Sequence, residues 1–213
     1  MSSNSAETGV LKYEDVVVAV DLSTAVAGEL GKASTALRRT VNPLQMQVFW
    51  VPPTAVHVSL LYTARVREDL LPLVVDAVRL VAREAAPFSI RVKGLKLREE
   101  AGAQGEAVVK AIWANVTDGA EQLAALREKL KTSLAELDVE TDAVTFLPHV
   151  PLGLLDQYRA AREFGSSFVE WQEKDFGSVP VNGLQVKRAT PVSGGEKPFG
   201  VLADVPLGPG GNA

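Results

Sequence analysis

One tetrapeptide occurs twice in this chain. His57-Val58-Ser59-Leu60 is echoed by His149-Val150-Pro151-Leu152, identical at three of four positions. The second copy begins 92 residues after the first, close to half of the 213-residue length. Both follow proline: Pro52-Pro53 lies upstream of His57, and Pro148 directly precedes His149. Both follow aromatic residues, Phe49-Trp50 and Phe146. The chain has no other histidine. An echo with this period fits two related lobes, each carrying one copy.

The surrounding pattern alternates between strand and helix. Residues 13–22 hold the apolar run Val16-Val17-Val18-Ala19-Val20, typical of a buried strand. Residues 24–39 read as a helix. Residues 47–50 and 56–62 are β-branched or aromatic and flank a Pro-Pro turn. Over 70–85, Leu70, Leu73, Val74, Ala77, Val78 and Val81 form one helical stripe. Phe88, Ile90 and Val92 alternate with Ser89, Arg91 and Lys93, as in a half-buried strand. Residues 107–116 form a strand. Leu123, Leu126, Leu130 and Leu134 mark a helix over 119–137. A strand begins at Phe146, a short helix is expected at 155–164, and late strands at 183–188 and 199–207. The expected fold is α+β and bilobal, with ferredoxin-like β-α-β lobes around a central cleft. The expected organisation is a disordered segment over 1–12, one bilobal domain over 13–207 and a flexible tail over 208–213.

Composition narrows the chemistry. With no Cys, disulfides, thiolate metal sites and a cysteine nucleophile are excluded. Two histidines make a zinc site improbable. A 46% hydrophobic and 23% charged content describes a globular chain able to bury a sizeable core. A net charge of −4 argues against broad binding to duplex DNA, which depends on neutralising phosphates. The polar start shows no leader pattern, and Asp76, Arg79, Arg83 and Glu84 interrupt the most apolar stretch. A cytoplasmic protein that binds no membrane, and a monomer, is therefore expected.

The echo carries chemistry. Residues i and i+2 of a strand share a face, so His57 and Ser59 project together while Val58 and Leu60 point to the core. Two such strands side by side would bring two imidazoles to one cleft. One could accept a proton while the other donates, with a hydroxyl holding a phosphoryl oxygen. That arrangement suits in-line displacement at phosphorus. A lone strand histidine is more often structural; the repeat shifts the balance toward function.

At these residues the sequence resembles the 2H phosphoesterase superfamily, marked by two His-x-Thr/Ser-x motifs. The nearest branch is the bacterial RNA 2′,3′-cyclic phosphodiesterases, also called 2′-5′ RNA ligases. The segment Phe49-Trp50-Val51-Pro52-Pro53-Thr54-Ala55-Val56-His57-Val58-Ser59-Leu60 resembles the first motif and its approach, and Phe146-Leu147-Pro148-His149-Val150 the second. The resemblance spans residues 16–207. It implies His57 and His149 as the catalytic acid–base pair and Ser59 as a phosphate-binding hydroxyl. It implies no metal or other cofactor, and as partner a nucleotide or RNA 3′ end bearing a cyclic phosphate.

The resemblance breaks at Pro151, where a second Thr or Ser is expected. Proline has neither a hydroxyl nor a backbone N–H. Its presence also suggests an edge or bulged strand there. Arg91 and Lys93, on one strand face, are candidate auxiliary phosphate ligands. Thr145 keeps the parity of His149, whereas Tyr62 has the opposite parity to His57 and should face away. Arg38-Arg39 and Arg65/Arg67 are further basic pairs, and the acids at 136–142 read as exposed. Two alternatives to a phosphodiesterase follow: a non-catalytic binder of nucleotides or RNA ends, and a structural or interaction module retaining the fold.

Overall fold

The computed structural model describes residues 12–41, 48–101, 107–159, 166–188 and 199–208. In chain order the elements are β1 (Tyr13–Asp21), α1 (Thr24–Val41), β2 (Val48–Trp50), β3 (His57–Arg67), α2 (Leu71–Arg83), β4 (Phe88–Ala101), β5 (Ala107–Val116), α3 (Ala120–Ala135), β6 (His149–Arg159), β7 (Asp175–Val181), β8 (Gly183–Arg188) and β9 (Val201–Pro206). Short 3-10 turns cover Glu68–Leu70 and Ser166–Trp171. The strands form two antiparallel sheets. One has the order β3-β1-β8-β9 and the other β2-β6-β5-β4-β7.

Two units of similar order explain the echo: β1-α1-β3, with the short β2 before β3, and β5-α3-β6. In each, the second long strand pairs antiparallel with the first and carries a histidine at its start. The connecting helices cross over. Helix α1 packs against β6 and β7 of the five-stranded sheet, while α3 packs against β3 of the four-stranded sheet and against α2. Each lobe is thus sealed by a helix from the other unit, and one continuous apolar cluster joins both. β3 and β6, the two motif strands, lie in contact.

The apolar pattern explains this packing. The β1 run Val16–Val20 is buried throughout, because β1 lies inside its sheet. Of the expected α2 stripe, Val74, Ala77, Val78 and Val81 are buried; Leu73 is exposed, Leu70 lies in the preceding 3-10 turn, and Leu71 and Ala82 complete the buried face. The α3 stripe buries Leu123, Leu126, Leu130 and Leu134, and with them Arg127.

Two expectations change. No helix forms from Leu155, because β6 continues to Arg159 in ladder with β5; residues 160–165 of that segment lie outside the described residues. Strand β7 was not anticipated, since Gly177 and Pro180 interrupt its pattern; it is the edge strand next to β4, where proline is tolerated. The loose ends expected over 1–12 and 208–213 fall mainly outside the described residues. Gly208 itself is buried, and its N–H donates to the Ala82 carbonyl (3.1 Å).

Gly94 shapes the long strand β4. The pairing steps from Val92↔Val116 to Leu95↔Ala114, which leaves one extra residue in β4. Gly94 takes φ +77°, and a Cβ there would sit 2.4 Å from the Gln172 carbonyl oxygen. The bulge reverses the side-chain parity, so Ile90, Val92 and Leu95 are all buried while Lys96 and Arg98 are exposed. Gly94→Ala combines a left-handed penalty of about 1–2 kcal/mol with a backbone clash. It is expected to lower stability by at least ~2 kcal/mol, read by chemical denaturation.

Candidate active site

The motif strands repeat each other beyond their sequence. In β3, pairing with β1 steps from Ser59↔Ala19 to Leu61↔Val18, so Leu60 is the bulged residue. In β6, pairing with β5 steps from Pro151↔Trp113 to Gly153↔Ile112, so Leu152 is bulged. Both bulges fall on the fourth residue of the tetrapeptide. The histidines match too. His57 Nδ1 bonds the Ala55 carbonyl at 2.8 Å, and His149 Nδ1 bonds the Leu147 carbonyl at 2.6 Å. A carbonyl only accepts, so each Nδ1 carries the proton. In the neutral ring Nε2 is then left with a free lone pair. Two imidazoles are therefore held in the same tautomer by the same i−2 contact.

A cavity of about 470 Å³ opens between the motif strands. Ser59 and Tyr62 of β3, Arg98 of β4, Trp113 of β5, Arg127 of α3 and His149 of β6 line it, with the segment Val144–Leu147. Ser59 and His149 thus meet at one cavity. His57 is buried two residues before Ser59 on the same strand face, with Phe199 edge-on at 5.4 Å. The His149 ring lies 4.3 Å from the Trp113 ring. The Arg98 guanidinium lies 5.9 Å from that indole.

Sequence parity misplaced Tyr62. The bulge at Leu60 inserts one residue, so Tyr62 joins Ser59 in lining the cavity instead of facing away. Its hydroxyl donates to Asp15 Oδ2 (2.7 Å). Thr145 also lines the cavity. Arg91 and Lys93 do not. Arg91 is ion-paired with Asp175, and Lys93 Nζ lies 3.1 Å from Glu173 Oε2. These acids occupy the β7 side of the sheet, and they take up both cations away from the cavity. Three cations of the other basic pairs are likewise engaged. Arg38 covers Trp50, Arg65 covers Tyr13 and Arg67 pairs with Asp69. Pro151 is tolerated inside the sheet because β2 pairs with β6 only over Gly153–Leu155, and a bulge follows at once.

Arg127 was not singled out by sequence. Its guanidinium is buried, donating to the Leu60 carbonyl, to Asp142 Oδ1 at 2.5 Å and to the Asp142 carbonyl at 3.3 Å. Phe146 covers it at 5.0 Å. One side chain therefore ties the bulge of the first motif to the loop that leads into the second. The signal was present: Arg127 falls on the stripe Leu123, Leu130, Leu134, where an arginine is out of place without a partner. Asp142, from the acidic run read as exposed, is that partner.

Burial shifts both histidines below the ordinary imidazole pKa. For His57 the nearby Lys187 ammonium adds to this, and for His149 the Arg98 guanidinium; the carbonyl hydrogen bonds oppose it. The unfolded chain then binds protons that the folded chain resists. Stability contributed by these groups is full above the unfolded value, about 6.5, and falls as pH drops through it toward the folded values. A denaturation series from pH 7.5 to 5 should show this loss. The loss should shrink in a variant with both histidines replaced by Gln.

Among the described residues, no group of three or more His, Asp or Glu is placed to hold a metal ion. No described helix is long and apolar enough to cross a membrane.

A two-lobed α+β fold with a histidine at the start of each matched strand defines a 2H phosphoesterase fold. The chain belongs to the 2′-5′ RNA ligase superfamily, whose profile matches residues 31–186. It is 22% identical over 167 residues to an RNA 2′,3′-cyclic phosphodiesterase of Aquifex aeolicus, covering 78% of this chain and 85% of that protein. Among solved structures it is similar to TT0787 of Thermus thermophilus, with a TM-score of 0.69 and 25% identity over 93% of this chain and all of that one. E. coli LigT complexed with 3′-AMP aligns with a TM-score of 0.67 and 13% identity, covering 92% of this chain and 99% of that one.

Proposed function

We propose that the protein hydrolyses a 2′,3′-cyclic phosphate on RNA ends or nucleotides, with His57 and His149 as the acid–base pair and Ser59 holding a phosphoryl oxygen. A water oxygen attacks phosphorus and one imidazole Nε2 takes its proton. The P–O3′ bond breaks, and the other imidazole, protonated, donates to O3′. The product is a 2′-phosphomonoester. The observation that carries this reading is the matched pair of imidazoles, each with Nδ1 fixed on an i−2 carbonyl. The Aquifex aeolicus relative's name supplies the substrate class. Because both imidazole pKa values are lowered and one ring must be protonated, the pH–rate optimum is expected below about 6.5.

The test is incubation of a short RNA ending in a 2′,3′-cyclic phosphate, in excess chelator. The expected result is conversion to a 2′-phosphate end. An end left intact, or a rate unchanged in the His57→Ala/His149→Ala double variant, overturns the reading.

Pro151 favours a second reading, a binder of nucleotides or RNA ends without turnover. It predicts calorimetric binding of a nucleoside 2′-monophosphate with no hydrolysis of the cyclic ester, and strong gain of turnover in Pro151→Thr.

A further inference from the structure

The first motif presents a hydroxyl at its third position and the second does not. Ser59 and Pro151 occupy the same place two residues after each histidine, each just before its bulge. A phosphoryl group between the motifs would be held on the Ser59 side and unsupported on the other. The cavity lining contains two cations, Arg98 and Arg127. Arg127 is committed internally, to the Leu60 carbonyl, to Asp142 and to the Phe146 ring. Arg98 is half-exposed; its ion pair, with Glu100 at 3.1 Å, is also solvent-exposed. Such a pair is weak and easily exchanged for an anionic ligand.

The placement of Arg98 is built by the fold. The Gly94 bulge turns it off the buried face of β4. It then lies over Trp113, the cross-strand partner of Pro151. The Trp113 Nε1 is buried with no hydrogen-bond partner among the described residues, and ring contacts with Arg98 and His149 flank this indole. A guanidinium held beside an indole can turn its N–H groups from Glu100 to a phosphate.

We propose that Arg98 is a phosphate-binding residue that takes over the role of the hydroxyl missing at Pro151, which makes this site specific for an anionic phosphoryl group. The proposal rests on the phosphodiesterase reading of the site. It predicts that the two positions are energetically coupled: the guanidinium matters most where the hydroxyl is absent.

The test is a double-mutant cycle on kcat/KM for a 2′,3′-cyclic nucleotide, with Arg98→Gln, Pro151→Thr and both together. Arg98→Gln alone is expected to lose about a hundredfold, the scale of one lost donor to a developing oxyanion. In the Pro151→Thr background the same change should cost less than about tenfold, and Arg98→Lys should recover part of the loss. Equal losses in both backgrounds, or no loss, overturn the proposal while leaving the His-dependent turnover standing. Calorimetry decides the case independently of turnover. Arg98→Gln should weaken a nucleoside 2′-monophosphate at least about tenfold and leave the unphosphorylated nucleoside unchanged. An equal loss for both ligands assigns Arg98 to base stacking and overturns the proposal.

Discussion

Replacing either histidine with alanine is expected to lower turnover of a 2′,3′-cyclic phosphate by ~10²–10⁴-fold, the usual contribution of a positioned general acid or base. The double variant should be scarcely worse than either single, since the two rings act on one proton-transfer sequence and their effects are not additive. The measurement is kcat/KM at pH 6, paired with a thermal melt so that loss of folding is separated from loss of chemistry. His57 is buried against Phe199, whereas His149 borders the cavity. His57→Ala should therefore lower the melting temperature more than His149→Ala. A single variant within about threefold of wild type would remove that histidine from the mechanism.

The second large effect concerns stability. Arg127→Met deletes every donor of a side chain that is 3% exposed and leaves Asp142, 25% exposed, without its cation. The Leu60 carbonyl at the first motif's bulge loses the same donor. Removing one partner of a largely buried ion pair costs about 3–5 kcal/mol, because the remaining group stays desolvated. For a chain of this length that corresponds to a fall of roughly 6–20 °C in melting temperature. Asp142→Asn keeps an acceptor and should cost about half as much. A shift below about 2 °C for Arg127→Met would show that water replaces the guanidinium without cost. The same strut fixes the Val144–Leu147 wall of the cavity. Residual activity in Arg127→Met is thus expected to show a raised KM at temperatures where the variant is still folded.

Much of the fold was legible because period and burial agree. The α2 and α3 stripes, the β1 run and the alternation at Phe88–Val92 each followed from apolar spacing, and the helices and strands formed there. The matched histidines were legible because an echo in sequence became an echo in strand pairing. What escaped was mostly a matter of bulges. An extra residue reverses strand parity, and nothing in a string of Leu and Val marks where it falls. Tyr62 was assigned to the wrong face by the bulge at Leu60, and Arg98 went unnoticed because the Gly94 bulge lies before it. Local pattern offers Arg91 and Lys93 as phosphate ligands because their partners, Asp175 and Glu173, come from a segment some 80 residues away in sequence. Such pairings depend on sheet order, which local pattern does not encode. The crossover of α1 and α3 between sheets was hidden for the same reason.

In the proposed mechanism two imidazoles, alike in tautomer, address one phosphate. With two histidines in the chain, four ring nitrogens carry the whole answer. The direct measurement is a long-range ¹H–¹⁵N NMR titration of the side chains with a nucleoside 2′-monophosphate. A protonated Nδ1 is expected in both free rings, and on saturation a shift of both Nε2 resonances with a common dissociation constant. A ligand that moves one histidine and leaves the other unchanged, or a ring found protonated at Nε2 instead, would contradict it.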